Sequence, residues 1–155
     1  MELKQGRELE AFNSMYRELD GMYHEIALKL ELSDSVFLVL YALVEFGDGC
    51  LQNDIAKYYF ISKQTVHSAV KSLEAKGYLS LRKGKRRDMH LDLTPAGRRL
   101  AEEKIAPVLT LENSVFAEMA PEESQALLAL TRKYVSLFRE KTAHFPVSER
   151  GGDSQ

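Results

Sequence analysis

The chain has 155 residues, of which 45% are hydrophobic and 28% charged, a composition typical of one globular domain. A single cysteine, Cys50, excludes an intramolecular disulfide framework, and no apolar run reaches the roughly 18 residues that a membrane helix needs. The N-terminal residues are charged and lack the apolar core of a signal peptide, so we expect a cytoplasmic protein without a membrane partner.

Charge is distributed unevenly along the chain, although the formal net charge is only −2. Residues 57–99 contain 11 Lys or Arg and 3 Asp or Glu, whereas the remainder contains 10 and 20. The basic segment therefore has a local charge of +8 within an otherwise acidic protein. Such an asymmetry is the electrostatic pattern of a surface that binds nucleic acid.

Two helices are predicted at the start of the chain. Residues 8–30 have apolar side chains at spacings of three and four, which indicates one long amphipathic helix. Its apolar stripe exceeds what a small lobe needs, so we interpret its first half as a dimer surface; a purely intramolecular core helix is the alternative. Ser33 is the expected cap of a second helix, which is apolar nearly all round and ends at Gly47, and which we expect at the centre of the core.

Residues 51–76 predict a short helix, a tight turn and a second helix that Ser62 caps. The second helix has a buried face that comprises Val66, Ala69, Val70 and Leu73. Its opposite face is polar and short-chained, which suits entry into a major groove, whereas a merely solvated helix usually carries more Glu and Lys. We assign DNA contacts to the first half of this helix, at Ser62, Lys63, Gln64, Thr65, His67, Ser68 and Lys71.

A β-hairpin with a basic tip is predicted next, from alternating apolar residues at Tyr78–Leu81 and Met89–Leu93. Gly84 is expected to take a positive φ in the turn. The clustered cations repel one another unless an anion such as DNA neutralises them; the alternative is a solvated turn, but such turns usually mix charges. We assign DNA contacts to all five cations, which are Arg82, Lys83, Lys85, Arg86 and Arg87.

The remaining chain is predicted to be helical. Thr94 and Pro95 begin a helix, with Arg98 and Arg99 near enough to the hairpin for phosphate contacts. Pro107 should kink or divide the following apolar pattern, and Pro121 should open a last helix. That last helix has a heptad-like stripe of Leu127, Leu130, Tyr134, Leu137 and Phe138.

The helix-turn-helix, the basic hairpin and the run Leu93-Thr94-Pro95-Ala96-Gly97 resemble the MarR family of bacterial transcription regulators, over about residues 8–142. The family's wing signature is Asp-Arg-Arg followed by Leu-Thr-x-x-Gly. Arg86 and Arg87 match its two arginines, whereas Lys85 stands where the family has the aspartate that braces the wing arginine, and Asp88 is the candidate substitute. The resemblance also implies that Cys50-Leu51 adds a strand to the wing sheet.

By this resemblance we expect a mainly α fold with a small β wing, a winged helix-turn-helix with long terminal dimerisation helices. Residues 1–32 would form the N-terminal dimerisation helix, 33–99 the DNA-binding lobe, 100–145 the C-terminal dimerisation helices and 146–155 a disordered tail. The implied protein is a homodimeric repressor that binds a palindromic operator in double-stranded DNA and is released by a small-molecule effector. The candidate effector pocket is lined by Tyr16, Tyr23 and Tyr41, with packing as their alternative role.

Catalytic motifs are not evident, so we expect no enzyme and no cofactor. The four histidines are scattered and form no metal-ligand spacing with the one cysteine. Cys50 is interpreted as a small buried hydrophobe rather than a redox sensor. The alternative function is a winged-helix protein–protein adaptor that binds no DNA and uses the basic hairpin on an acidic partner.

Overall fold

The computed structural model describes residues 4–84 and 88–145; the predicted tail, residues 146–155, lies outside them. The described chain is mostly helical with one small antiparallel sheet, which confirms the expected fold class. Its elements are α1 (Arg7–Lys29), α2 (Asp34–Phe46), β1 (Cys50–Leu51), α3 (Gln52–Tyr58), α4 (Lys63–Ala75), β2 (Leu79–Lys83), β3 (Met89–Leu93), α5 (Pro95–Lys104), α6 (Ala106–Glu118) and α7 (Pro121–Ala143).

Three predicted helix caps are confirmed by side-chain hydrogen bonds. The Ser33 hydroxyl accepts the backbone N–H of Val36 at 3.4 Å and so caps α2. The Ser62 hydroxyl likewise accepts the Thr65 N–H at 3.0 Å, at the start of α4. Thr94 caps α5 in the same way. Each hydroxyl satisfies a backbone donor that the helix itself leaves unpaired, which determines where the helix begins.

The sheet has the order β1-β3-β2, and both pairings are antiparallel. The predicted pairing of Cys50-Leu51 with the wing is confirmed, because these residues lie opposite Leu91 and His90. The first hairpin strand begins at Leu79 rather than at Tyr78 as predicted. Tyr78 instead donates its backbone N–H to the Leu73 carbonyl at 3.0 Å and so completes the C-terminal cap of α4.

Pro107 divides the apolar pattern that follows the wing, as predicted. α5 ends at Lys104, and α6 begins at Ala106 with Pro107 as its second residue. Proline is tolerated there because the first N–H groups of a helix have no intrahelical acceptor. The Ile105 side chain between the two helices is fully buried, so the break itself packs on the core.

The buried residues of the hydrophobic core extend along the described chain from Ala27 to Val108. The helices α2 and α4 lie at the centre of this core. α2 contributes five buried residues, in agreement with the prediction that it is central. The predicted inward face of α4 is also confirmed, since each of its four residues is at most 2% exposed. The largest fully buried side chains are Leu40, Leu43, Ile55, Leu73, Leu91, Ile105, Val39, Val66 and Val70.

The chain divides into two compact units, residues 1–109 and 110–155. The first contains α1 to α5, the sheet and the core. In the second, none of the described residues of α7 is buried, although that helix is 23 residues long. None of the described helices combines the length and the apolarity that crossing a bilayer requires.

Candidate nucleic-acid interface

α4 presents a polar face because its opposite face is embedded in the core. Val66, Ala69, Val70 and Leu73 recur at helical spacing and fix the rotation of the helix about its axis. All seven of the predicted contact residues from Ser62 to Lys71 are exposed. This face is short-chained and carries a net positive charge, so a nucleic-acid strand can approach the helix backbone closely.

The polar side chains of α4 are not equally available to a partner. The hydroxyls of Ser62 and Thr65 lie 2.7 Å apart and share a hydrogen bond within the helix cap. His67 Nδ1 lies 3.4 Å from the side-chain oxygen of Gln52, at the start of α3. Gln64, Ser68 and Lys71 are exposed on the central strip of the face. These three side chains therefore lie along the centre of the exposed face, whereas the Thr65 hydroxyl is engaged in the helix cap.

The wing contains an ion pair that the sequence analysis did not identify. Arg82 donates from Nε to Asp92 Oδ2 at 3.0 Å and from Nη2 to Oδ1 at 3.3 Å, a bidentate arrangement across the β2–β3 ladder. Arg82 is thus bound to the wing itself, whereas Lys83 at the end of β2 is exposed. The other three predicted wing contacts, Lys85, Arg86 and Arg87, lie outside the described residues.

Gly84 is required by close packing and not, as predicted, by a positive φ. It is not among the glycines with φ in the left-handed region. A Cβ at this position would lie 2.6 Å from Nε2 of His90, because the imidazole packs against the start of the turn. The Gly84 N–H also donates to the Asp88 carbonyl at 2.7 Å, which closes the described part of the turn.

The run Leu93-Thr94-x-x-Gly97 has a structural explanation. Thr94 donates its hydroxyl to the Gly77 carbonyl at 2.7 Å and accepts the Gly97 N–H at 3.0 Å. A Cβ on Gly97 would lie 1.9 Å from the Tyr78 carbonyl oxygen, so only glycine allows α5 to approach the backbone just before β2 this closely. The motif therefore couples the end of the wing to α5, while Leu93 is buried beneath it.

Asp48 connects three parts of the lobe. Its Oδ1 accepts the backbone N–H of Leu93 at 3.0 Å, and its Oδ2 accepts from Arg98 Nη1 at 2.5 Å. The hydrogen bond from Arg98, and then that from Leu93, lower the pKa of the Asp48 carboxyl. Arg98 forms this ion pair while its side chain stays about half exposed, and Arg99 is exposed; phosphate contacts at these two arginines remain a prediction.

Tyr58 and Tyr59, at the turn between α3 and α4, bind one carboxylate at the rim of the lobe. Tyr58 and Tyr59 donate their hydroxyls to the two carboxylate oxygens of Glu45, at 3.0 and 2.6 Å. The ring of Phe46 meets that of Tyr58 edge to face at 4.9 Å between centroids. The hydrogen bond to the Glu45 carboxylate, and then the charge of that carboxylate, raise the pKa of Tyr58.

The other predicted site residues lie apart from this face. Tyr16 and Tyr23 are exposed on α1, and Tyr41 is half-buried on α2 beside Phe37. Burial raises the pKa of the half-buried Cys50 thiol to about 11, so it is protonated and poorly nucleophilic at neutral pH. In the two described ranges, no three His, Cys, Asp or Glu side chains are grouped closely enough to bind a metal.

Comparison with known proteins identifies the architecture. Residues 30–87 match the model of the MarR family, and this match runs from the end of α1 into the wing. A MarR family regulator from Neisseria meningitidis has a similar structure, with a TM-score of 0.78 and 21% sequence identity over 90% of this chain and 99% of that chain. No curated protein sequence matches the chain significantly.

Two further structures are similar and have known ligands. BpsR from Bordetella bronchiseptica, whose DNA binding is regulated by 6-hydroxynicotinic acid, has a TM-score of 0.62 at 27% identity over 81% of this chain and 98% of its own. MepR from S. aureus in complex with DNA has a TM-score of 0.65 at 22% identity over 83% and 94%. Residues 30–87 are therefore similar in sequence to the MarR family, and the described chain shares the winged-helix architecture of these structures.

Proposed function

We propose that the chain is a sequence-specific DNA-binding transcription regulator that acts as a homodimer. The observation that carries this proposal is the exposed polar face of α4, which lies within the most basic segment of the chain while the opposite face is locked in the core. BpsR and MepR, which are similar in structure, support it because both proteins bind DNA.

Each α4 would enter one major groove of a palindromic operator. Two-fold symmetry places the grooves about 34–36 Å apart, or one helical turn of DNA. Gln64 can pair with adenine and Lys71 with guanine, and Ser68 can contact either. The wing, including Lys83 and the undescribed Lys85, Arg86 and Arg87, would contact the backbone or the adjacent minor groove. Ser62, Lys63, Thr65 and His67 would support these contacts at the start of the helix.

Dimerisation is proposed from the apolar side chains of the long terminal helices. α1 and α7 each expose apolar residues along much of their length, and a helix of 23 residues without a buried side chain is not stabilised by its own unit. In the proposed dimer, a second copy of the chain buries these exposed apolar side chains. The exposed apolar residues of α7 are Leu127, Leu128, Leu130, Tyr134, Val135, Leu137 and Phe138.

Repression with release by a small molecule is the proposed regulatory mode. A dimer on an operator blocks access of other proteins to that DNA, and a ligand that changes the separation of the two α4 helices weakens binding to both grooves at once. The regulation of BpsR by 6-hydroxynicotinic acid supports an effector of small-molecule size. Tyr16, Tyr23 and Tyr41 are the proposed lining of the effector pocket. The proposed location of the protein is the cytoplasm.

The proposal is tested by selecting bound fragments from genomic DNA with the full-length chain. We expect recovery of a two-fold symmetric motif whose half-sites are about 10 base pairs apart. Selection with the Gln64→Ala, Ser68→Ala double variant should recover a changed or degenerate motif, while general DNA affinity stays nearly constant because no charge is lost. Failure of the wild-type chain to enrich any sequence would instead favour the protein–protein adaptor.

A further inference from the structure

Phe60 occupies a position in the helix-turn-helix turn where glycine is usual. The Ile61 N–H donates to the Ala56 carbonyl at 3.1 Å, which is the six-to-one hydrogen bond of a Schellman cap at the end of α3. The residue enclosed by that bond must adopt the left-handed conformation, and Phe60 has φ of +53°. A bulky L-residue is strained in this region of conformational space.

The strain at Phe60 is not offset by burial of its side chain. Its exposed fraction is 95%, the highest of the large hydrophobic residues in the described chain. Neighbouring aromatic rings pack with one another, since Phe46 contacts both Tyr58 and Tyr59 edge to face. A strained backbone and a fully solvated phenyl ring are both unfavourable, and a combination of this kind points to a role outside folding.

The same cap recurs twice in the lobe and provides an internal comparison. At the end of α4 the enclosed residue is Gly77, with φ of +74°. At the end of α1 it is Glu31, with φ of +59°, where the Leu32 N–H donates to the Ala27 carbonyl at 2.9 Å. Glu31 is a polar residue that water solvates well. Phe60 is therefore the one of these three residues that exposes a large apolar side chain.

The location of Phe60 favours DNA as its partner. It lies two residues before Ser62, the N-cap of α4, so it borders the end of the helix that carries the proposed contact face. Residues 57–63 contain Lys57 and Lys63 and no acidic residue. Phe60 and Lys57 also line one open depression of about 670 Å³, together with Phe46, Asp54 and Tyr58. Asp54 balances Lys57 within the depression, but residues 57–63 themselves carry two cations beside an exposed apolar ring. This combination matches a nucleic-acid strand, whose phosphates are anionic and whose sugars and thymine methyl groups are apolar.

We propose that Phe60 contacts DNA directly, with its ring against a deoxyribose or a thymine methyl group at the edge of the groove that α4 enters. The inference rests on the proposed function and adds an apolar contact to the polar ones of α4. A thymine methyl contact would make Phe60 a determinant of sequence preference, whereas a deoxyribose contact would raise affinity for all sequences alike.

Phe60→Gly tests this proposal, because glycine relieves the strain and removes the ring without creating a cavity. We expect the melting temperature to stay constant or to rise by up to about 4 °C. The affinity for the duplex that the wild-type chain selects should fall by about tenfold, from the loss of apolar contact area in each half-site. Deoxyuridine substituted for each thymine in turn then separates the two contacts: one sensitive position indicates the methyl group, and none indicates the sugar.

Glu31→Gly is the matched control, since it relieves the same strain in the same type of cap away from α4. Its affinity for the duplex should equal that of the wild-type chain or slightly exceed it, because an acidic side chain is lost. Equal affinity of Phe60→Gly and wild type would overturn the role of Phe60 and leave the proposed function intact. A melting temperature for Phe60→Gly clearly below that of Glu31→Gly would also overturn it, because both substitutions loosen the unfolded chain in the same way and the difference would show that the ring serves the fold. A wild-type chain that binds no duplex at all would overturn both proposals.

Discussion

His90 donates its Nδ1 proton to the carbonyl oxygen of Gly49 at 2.6 Å, and this bond joins the wing to the loop before β1. A carbonyl accepts only, so the bond determines which ring nitrogen carries the proton when the imidazole is neutral. The other edge of the ring faces Gly84, where a Cβ would lie 2.6 Å from Nε2. The ring therefore links the loop at Gly49 to Gly84, just after the end of β2.

Replacement of Gly84 by alanine should displace the His90 ring and break its bond to Gly49. We expect Gly84→Ala to lower the free energy of unfolding by about 1–2 kcal/mol, the cost of a lost partly buried hydrogen bond and of local repacking. In a His90→Ala background, without the imidazole, the contact at 3.3 Å with the Asp88 carbonyl oxygen remains, and a small shift accommodates it. Urea unfolding of the four proteins measures the coupling. If the losses in free energy of unfolding of the two single variants simply add up to the loss of the double variant, the proposed contact is contradicted.

Asp48 should make the stability of the lobe depend on pH. Its carboxyl pKa is lowered by the hydrogen bonds from Arg98 and Leu93, so its stabilising effect is complete above the unfolded-state pKa of about 4 and is lost as the pH falls through the folded-state pKa. We expect Asp48→Asn to lower the free energy of unfolding by about 1 kcal/mol at pH 7, a modest value because the side chain is 45% exposed.

The measurement is urea unfolding of wild type and Asp48→Asn between pH 7 and pH 2.5. The difference in stability should begin to shrink as the pH falls below the unfolded-state pKa of about 4, and it should vanish only below the lowered folded-state pKa, where the wild-type carboxyl is protonated. Arg98→Gln removes the same ion pair from the other side and should flatten the pH dependence in the same way. A difference that stays constant over this range would show that Asp48 acts through packing and not through its charge.

The apolar stripe of α7 should be a dimer surface. Leu137 is 47% exposed in the single chain, so Leu137→Glu would leave an isolated subunit nearly unaffected but would place a charge in a dimer interface. We expect this variant to dissociate to monomers at micromolar concentration in light scattering. Ser136→Glu makes the same change of charge one residue away, on the other side of the helix, and should remain dimeric. A monomeric wild-type chain would contradict the proposed assembly.

Local signals in the sequence were sufficient for most of the fold. Caps at Ser33, Ser62 and Thr94 and the periodicity of α4 depend on residues within one turn, so they could be predicted without knowledge of the tertiary structure. The polar face of α4 followed from the same periodicity, because the residues opposite a buried stripe must be solvated.

Contacts across the sheet could not be predicted in the same way. The Arg82–Asp92 pair depends on the register that places Leu79 opposite Leu93, and no turn residue specified that register in advance. Gly84 was assigned a positive φ because the ring of His90 was not known to pack there. Phe60 was missed because its backbone position normally selects glycine, and only the folded chain shows a phenylalanine in it.

The central claim is that the chain binds double-stranded DNA through charge and reads it through α4, and one salt titration tests it most directly. Affinities for the selected duplex and for an unrelated duplex of equal length should be measured between about 50 and 300 mM salt. We expect the logarithm of both association constants to fall linearly with the logarithm of the salt concentration, with a slope of several units. The selected duplex should remain about 10³-fold or more tighter at each concentration. Equal affinities for the two duplexes, or binding that salt does not weaken, would contradict the claim.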